Sequence, residues 1–483
     1  MRLAIIGAGM AGILSAIKLQ EAGLTDFTVY EKGDQVGGTW RENTYPGLAC
    51  DVPSHLYSYS FALTPEWSRR FSPGTEIRAY FERVAREHNV VERMRFDEEV
   101  TSCTFANGRW HLDTRSGHHD EVDVVIAATG VLHHPSYPDI EGLDTFAGAM
   151  FHSARWDHRA TIDGARVGVI GTGSTAVQIV SAITSRVAKL SLFQRTAQWI
   201  MPQDNPAYTA AEKALFRDDP ERLPALHTQL AEMFGLFTNA VIDSNSSEIK
   251  MIESACLANL ENNVRDPELR ERLRPTYRAA CKRLIISPDF YDAIQRPNAE
   301  LVTEGIERIE PAGVRTRDGS RREGSLHELD VLVLATGFKA NAFVRPMQVT
   351  GRDGHTLDDE WKQRPNAYLS ISIPEFPNFF MLNGPNGPVG NFSLIEVAEI
   401  QFAYVMQLID QLRTGECTEI SASRAAMDSF EAERTEAAKH TVWVTGCNSW
   451  YLDDRGIPAT WPWSFDRFRE AMRAPELTNF DRR

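Results

Sequence analysis

Two short glycine-rich turns in this chain are of the kind that lets backbone amides close on a phosphate. The first is Gly7-Ala8-Gly9-Met10-Ala11-Gly12; the second is Gly171-Thr172-Gly173-Ser174-Thr175-Ala176. Each is followed, at the same offset, by a residue suited to a ribose: Glu31 past the first, Arg195 past the second. In a dinucleotide-binding βαβ unit that position, about 20 residues downstream, reads the ribose. A carboxylate there accepts hydrogen bonds from two ribose hydroxyls. An arginine instead pairs with a 2′-phosphate. The first turn therefore reads as a site for FAD and the second as a site for NADPH. Two ordinary domains without ligand are the weaker reading, because a glycine turn with no phosphate to cradle is a costly loop.

Such turns work only between a strand and a helix. Leu3-Ala4-Ile5-Ile6 precedes the first and Val167-Gly168-Val169-Ile170 the second. Helical spacing from Gly12 to Gly23, then the strand-like Thr28-Val29-Tyr30, continues the first unit. Each unit closes on a β-branched run and an Ala-Thr-Gly turn, Asp123 to Thr129-Gly130 and Asp330 to Thr336-Gly337. The expected fold is α/β, with two Rossmann-like dinucleotide-binding domains, the second inserted in the first. Residues 1–137 plus about 341–483 are expected to bind FAD. Residues 138–165 read as a linker and 166–340 as the NADPH domain, with a helical insertion at about 208–280 broken by Pro220, Pro224, Pro267 and Pro275. Phe379-Phe380-Met381-Leu382 reads as a strand that brings the chain back to the flavin, and 395–413 and 421–440 read as helices. Loops near 340–347 and 386–395 are expected, with the insertion, to wall the substrate pocket.

With 483 residues the chain has room for two or three domains, and 42% hydrophobic residues supply a normal core. A net charge of −15 argues against nucleic acid as partner. The apolar N-terminus is interrupted by glycines and Lys18, so neither a membrane span nor a secretion signal is expected. A cytoplasmic location follows. Six cysteines contain no Cys-x-x-Cys pair, which argues against a disulfide scaffold, a structural zinc or a dithiol that relays electrons from a flavin. Cys50 and Cys281 read as small buried hydrophobes. His118-His119 and His133-His134 read as solvated loop residues, and no metal is expected.

Three further motifs narrow the reading. They are Gly37-Gly38-Thr39-Trp40 with Tyr45-Pro46-Gly47 and Asp51; Phe146-x-Gly148-x-x-x-His152-x-x-x-Trp156-Asp157; and Cys281-Lys282-Arg283. With the two glycine turns they resemble the Baeyer–Villiger monooxygenases, including the phenylacetone and cyclohexanone enzymes, from Gly7 to about Trp450. The resemblance implies FAD and NADPH as cofactors. It implies O2 and a small apolar ketone as substrates, converted to an ester or lactone through a flavin C4a-peroxide. Heteroatom oxygenation of a sulfide or amine, or an oxidase-like flavoprotein, are the alternatives. Such chemistry needs fixed positive charge where negative charge develops, and an arginine cannot lose its charge in a protein.

By the same resemblance Arg283 is the catalytic arginine and Asp51 the carboxylate that holds and tunes it. Gly38, Thr39, Trp40, Asp51, Tyr57, Val100, Thr129 and Gly130 join Gly7, Gly9, Gly12 and Glu31 around the flavin nucleotide. Gly171, Thr172, Gly173, Ser174, Thr175, Arg195, Thr196, Lys282 and Trp450 fall on the NADPH side, with Lys282, Arg195 and Thr196 sharing the 2′-phosphate. His152 is expected to couple the modules rather than to make bonds. From local sequence alone, Arg283 reads as a helix C-terminal cation, Asp51 as a cap or turn residue, and Trp40 and Tyr57 as core. The family's glycine-asparagine and Pro-Gly-Lys after Trp450 are replaced here by Leu452-Asp453-Asp454-Arg455-Gly456.

Overall fold

Strands made wholly of apolar side chains have no face to give to water, and parallel sheets bury both faces. Leu3–Ile6, Val124–Ala127 and Val331–Leu334 are buried along their whole length. They sit at the centres of two five-stranded sheets in the computed structural model, which describes residues 1–317, 324–390 and 392–483. Asn391, within the stretch expected to wall the pocket, lies outside the described residues, as do 318–323.

The first sheet runs Phe379–Met381, Val124–Ala127, Leu3–Ile6, Phe27–Tyr30, Met94–Arg95, all parallel. The second runs Ala149–His152, Val331–Leu334, Arg166–Ile170, Lys189–Phe193, Ala299–Val302, again all parallel. These are two Rossmann-like sheets with one order. The edge beside the closing strand is filled differently in each. Residues from far along the chain, 379–381, fill it in the first. In the second the strand is Ala149–His152, which precedes the module and lies within the segment that reads as a linker.

Each sheet carries its glycine turn in the same pose. Gly7 has φ +103° and Gly171 φ +115°, a region that L side chains avoid. A Cβ on Gly7 would stand 2.6 Å from the Ala128 carbonyl oxygen, and one on Gly171 would strike the equivalent oxygen of Ala335. The repeated Ala-Thr-Gly is thus the wall against which each turn is packed.

The helices Met10–Glu21 and Leu394–Arg413 share one apolar cluster with the first sheet. An antiparallel meander, Val100–Ala106, Arg109–Thr114 and His119–Val122, covers part of it. The insertion comprises Ala210–Asp218, Arg222–Ile242, Ser247–Asn263 and Pro267–Arg272. Pro267 stands at the first helical position and Pro224 in a first turn, where a missing N–H is harmless.

Two readings are corrected. Cys281 is not a lone buried thiol: it forms a disulfide with Cys447. No local spacing signals a partner so distant in the chain. His133 and His134 are not solvated. Their rings lie 4.0 Å apart, and their Nε2 atoms bond to the carbonyls of Phe343 and Arg345 at 3.0 and 2.8 Å. Burial lowers both pKa values, that of His133 to about 4. Among the described residues no helix is long and apolar enough to cross a membrane, and no cluster of ligating side chains could hold a metal.

A Cβ on Gly12 would overlap the Gly7 carbonyl. Gly12→Ala is therefore expected to lower stability by about 1–3 kcal/mol, read as a lower denaturation midpoint in urea. Gly235→Ala, in a helix with open space around it, is the contrasting case. It should be neutral or stabilising by up to about 1 kcal/mol.

Candidate active site

At the first turn, the helix Met10–Glu21 starts at Gly9 with no side chain capping it, which leaves its leading amides free for an anion. Glu31 directly follows the adjacent strand, Phe27–Tyr30, and is 4% exposed. One carboxylate oxygen accepts from the Ala8 amide at 2.8 Å and the other from Gly33 at 2.9 Å. The acid is thereby held against the turn. A Cβ on Gly38 would lie 3.0 Å from the Gly9 Cα, so two bare backbones face each other here. Arg41 reaches over Gly33 to within 3.2 Å of Glu31, and its buried Nε has no partner.

Thr39 opens a short helix that carries Trp40, whose Nε1 donates to the Tyr57 hydroxyl at 3.1 Å. Trp40 is only partly buried, and burial pushes the Tyr57 phenol's pKa up. Thr129 and Gly130 follow the strand Val124–Ala127 at this same end of the sheet. Val100 begins the meander just after Glu98, whose amide donates to the Glu31 carbonyl, and its side chain belongs to the meander's core.

The second turn repeats the pattern. The helix Ser174–Ile183 starts at Gly173 without a side-chain cap, and nothing lies within 4 Å of a Cβ built on Gly173. Thr172 donates to the Thr196 carbonyl at 2.9 Å, which sets the strand end that bears Arg195. Lys282 comes from beyond the insertion. Burial and the nearby charge of Arg195 both lower its pKa. Among the described residues neither cation has an acidic partner. Two like charges brought together without a carboxylate fit a multiply charged anion.

The modules meet through Tyr45-Pro46-Gly47. Tyr45 donates to Gln178 Oε1 at 2.9 Å, and Gln178 Nε2 donates to the Ala49 carbonyl at 2.9 Å. A Cβ on Gly47 would strike the Gln178 carbonyl. Thr175 lies on the same helix and also reaches Tyr45.

This docking sets Asp51 against Arg283. Nε donates to Oδ2 at 3.0 Å, Nη2 reaches both oxygens at 2.6 Å, and Nη1 donates to the Gly390 carbonyl at 2.8 Å. Burial opposes the charge on Arg283, but Asp51 outweighs it and holds the guanidinium's pKa above its ordinary value. No helix ends at Arg283 and none begins at Asp51, so the helix-terminus readings of both residues fall away. What remains is a fixed cation where the first module, the insertion's end and the returning chain converge.

The sequence model of the flavin-binding monooxygenase-like family matches residues 1–209. An uncharacterized monooxygenase of Mycobacterium tuberculosis (strain ATCC 25618 / H37Rv) is 47% identical over all of this chain and 96% of its own. A Baeyer–Villiger monooxygenase of Streptomyces coelicolor is 40% identical over 99% of this chain and 92% of its own. The chain belongs to the Baeyer–Villiger monooxygenases. The fold agrees: cyclohexanone monooxygenase from Rhodococcus sp. Phi1, bound to NADP+, superposes with a TM-score of 0.88 at 28% identity, covering 100% of this chain and 99% of that one.

This Baeyer–Villiger monooxygenase builds its fingerprint segment into the edge of the second sheet. Gly148 packs under the Asp330 carbonyl, and Trp156 lies edge-on to Phe151 at 4.9 Å. His152 Nδ1 accepts from the Ala154 amide at 3.1 Å while Nε2 meets the Gly337 carbonyl at 3.0 Å. A neutral ring with its proton on Nε2 satisfies both bonds. Burial lowers its pKa, in keeping with that form. Asp157 is tied to its neighbour Arg159.

Trp450 is 44% exposed and packs, tilted, on Tyr451 at 4.2 Å. The sequence reading missed Gln178, Gly390 and Tyr451. Gln178 and Gly390 are named by no motif, because their contacts are with segments distant in the chain.

Arg195→Ala is expected to weaken NADPH binding about 10–100-fold, as for a lost charge-assisted hydrogen bond. NADH binding should change by no more than about twofold, since NADH has no 2′-phosphate to pair. Titration of both nucleotides by fluorescence checks the assignment, and equal losses would overturn it.

Proposed function

We propose that this enzyme inserts one oxygen atom from O2 beside the carbonyl of a small apolar ketone, giving an ester or lactone. The carrying observation is the Arg283 guanidinium, clamped by Asp51 and the Gly390 carbonyl at the meeting of the modules.

The first cradle suits FAD. Its bare Gly9–Gly38 floor, uncapped helix start, anchored Glu31 and unpartnered Arg41 Nε are what a dinucleotide calls for. Gly7, Gly9, Gly12, Glu31, Gly38, Thr39, Trp40, Tyr57, Val100, Thr129 and Gly130 would hold it, in a domain of residues 1–137 with about 341–483. Gly171, Thr172, Gly173, Ser174, Thr175, Arg195, Thr196 and Lys282 would hold NADPH within 166–340, and Trp450 would cover it. When bound, reduced flavin supplies the oxygen-derived nucleophile and NADPH the hydride that reduces the flavin.

The protein's own part is electrostatic. Arg283 keeps its charge at any working pH and donates to the carbonyl oxygen of the ketone as negative charge builds there. Asp51 fixes the guanidinium plane, so little reorientation is needed during reaction. A permanently charged arginine at this place favours an anionic nucleophile and hence attack on a carbonyl, over transfer to a sulfide or amine. The cyclohexanone enzyme among the structural neighbours supports the ketone class.

The test is incubation under ¹⁸O2 with FAD, NADPH, a panel of linear, cyclic and aryl ketones, and a thioether. One labelled oxygen per ester or lactone is the expected product by mass spectrometry. Labelled sulfoxide alone, or hydrogen peroxide alone across the panel, would overturn the ketone assignment. Arg283→Ala should lower ester formation about 10²–10³-fold, the scale of a lost transition-state donor. The rate of flavin reduction by NADPH should stay within about threefold, because that step needs no oxyanion support.

A further inference from the structure

Tyr451 stands immediately before Leu452–Gly456, the stretch that departs from the family pattern, and it is 4% exposed. Its ring packs, tilted, against Trp450 and Trp443, with centroids at 4.2 and 5.6 Å. Its hydroxyl lies directly over Gly390, where a Cβ would overlap it. Gly390 adopts φ +96°, and its carbonyl is the one that accepts from Arg283 Nη1. The same hydroxyl lies close enough to the Arg283 guanidinium for each group to act on the other's charge.

The segment around Tyr451 is tightly built. Its carbonyl accepts from Ala459 at 2.7 Å, and Asp453 Oδ1 accepts from the amides of Arg455 and Ile457 at 2.9 and 3.0 Å. Glu431 gathers Arg364, Arg434 and Arg455, and the fully buried Arg434 donates to the Pro458 carbonyl. Thr460 and Trp461 both bond to the Gly387 carbonyl, three residues before Gly390. The Cys281–Cys447 disulfide ties the segment's start to the residue two before Arg283. The charges of Leu452-Asp453-Asp454-Arg455-Gly456 thus seat the loop that delivers the phenol.

We propose that Tyr451 is a positioning residue for Arg283: its hydroxyl accepts one guanidinium N–H and makes the aim of the arginine depend on the seating of residues 447–461. A guanidinium has five N–H donors in a fixed fork. Asp51 engages Nε and Nη2, and the Gly390 carbonyl engages Nη1. Tyr451 adds a third partner that fixes the direction of the fork. A phenylalanine would fill the same space between Trp443 and Trp450 but could not accept. This inference rests on the role proposed for Arg283, so one arm of its test is independent of ketone oxidation.

In that arm, 3-fluorotyrosine is placed at position 451 of the full-length, FAD-loaded enzyme and followed by ¹⁹F NMR against pH, with and without Arg283→Ala. The charged groups facing the phenol are Arg283, which lowers its pKa, and Asp51, which raises it. Loss of Arg283 should therefore move the resonance at neutral pH and shift its titration upward. An unmoved resonance with an unmoved titration would overturn the contact.

In the second arm, Tyr451→Phe should lower kcat for oxygenation about tenfold, the worth of one hydrogen bond to a charged group. KM and the rate of flavin reduction should stay within about twofold, and the peroxide released per NADPH should rise. Added to Arg283→Ala, the same change should do nothing further. A fully coupled Tyr451→Phe enzyme would overturn the positioning role. Failure of Arg283→Ala to affect ester formation would instead overturn the function proposed for Arg283 and leave the ¹⁹F result standing.

Discussion

The bidentate pair between Asp51 and Arg283 joins residues 232 positions apart and fastens three segments of chain to one another. The two side chains are 32% and 21% exposed, so each ion is partly drawn from water and the other offsets part of that cost. The pair is therefore a demanding constraint: it forms only if the modules dock in one way. Tyr45, Gly47 and Gln178 supply that docking, and the Gly390 carbonyl closes it from the returning chain.

The two modules show one design solved twice. In both, a strand whose last four residues are buried leads into a glycine of positive φ, and that glycine leans on the carbonyl of the alanine that follows the closing strand. In both, a helix begins with its amides uncapped. The difference lies in charge at the next strand's end. Glu31 is neutralised by backbone amides and Arg41, whereas Arg195 and Lys282 stand together with no acid among the described residues. An electroneutral corner accepts ribose hydroxyls; an unbalanced cationic one asks for phosphate. Between them, His152 and Gly148 fasten the fingerprint segment to the closing strand of the second module.

The strands that enter each glycine turn and the strands that close each unit were legible because their signals are local. Four apolar residues followed by Gly-x-Gly can hardly be anything but a strand entering a phosphate turn, and the repeated Ala-Thr-Gly gives the closing strand. The helices of the insertion were legible from composition and proline positions. The edge strand Ala149–His152 was not, since its pairing with Val331–Leu334 depends on a partner far along the chain. The same limit hid the Cys281–Cys447 disulfide and the burial of His133 and His134 against Phe343 and Arg345.

By itself the sequence determined the number of glycine-rich turns, their order, and the charge at the end of the strand that follows each. These are properties of residue type at fixed short spacing, and backbone geometry permits few alternatives. It also named Asp51, Lys282 and Arg283, but only through resemblance to a family, for nothing in their neighbours points to a shared site. Tertiary structure alone decided that Arg283 faces Asp51, that Lys282 joins Arg195, and that Tyr451 lies over Gly390 beside the guanidinium. The physical reason is distance along the chain. Contacts between remote segments are chosen by the packing of whole modules, and no local pattern encodes that choice.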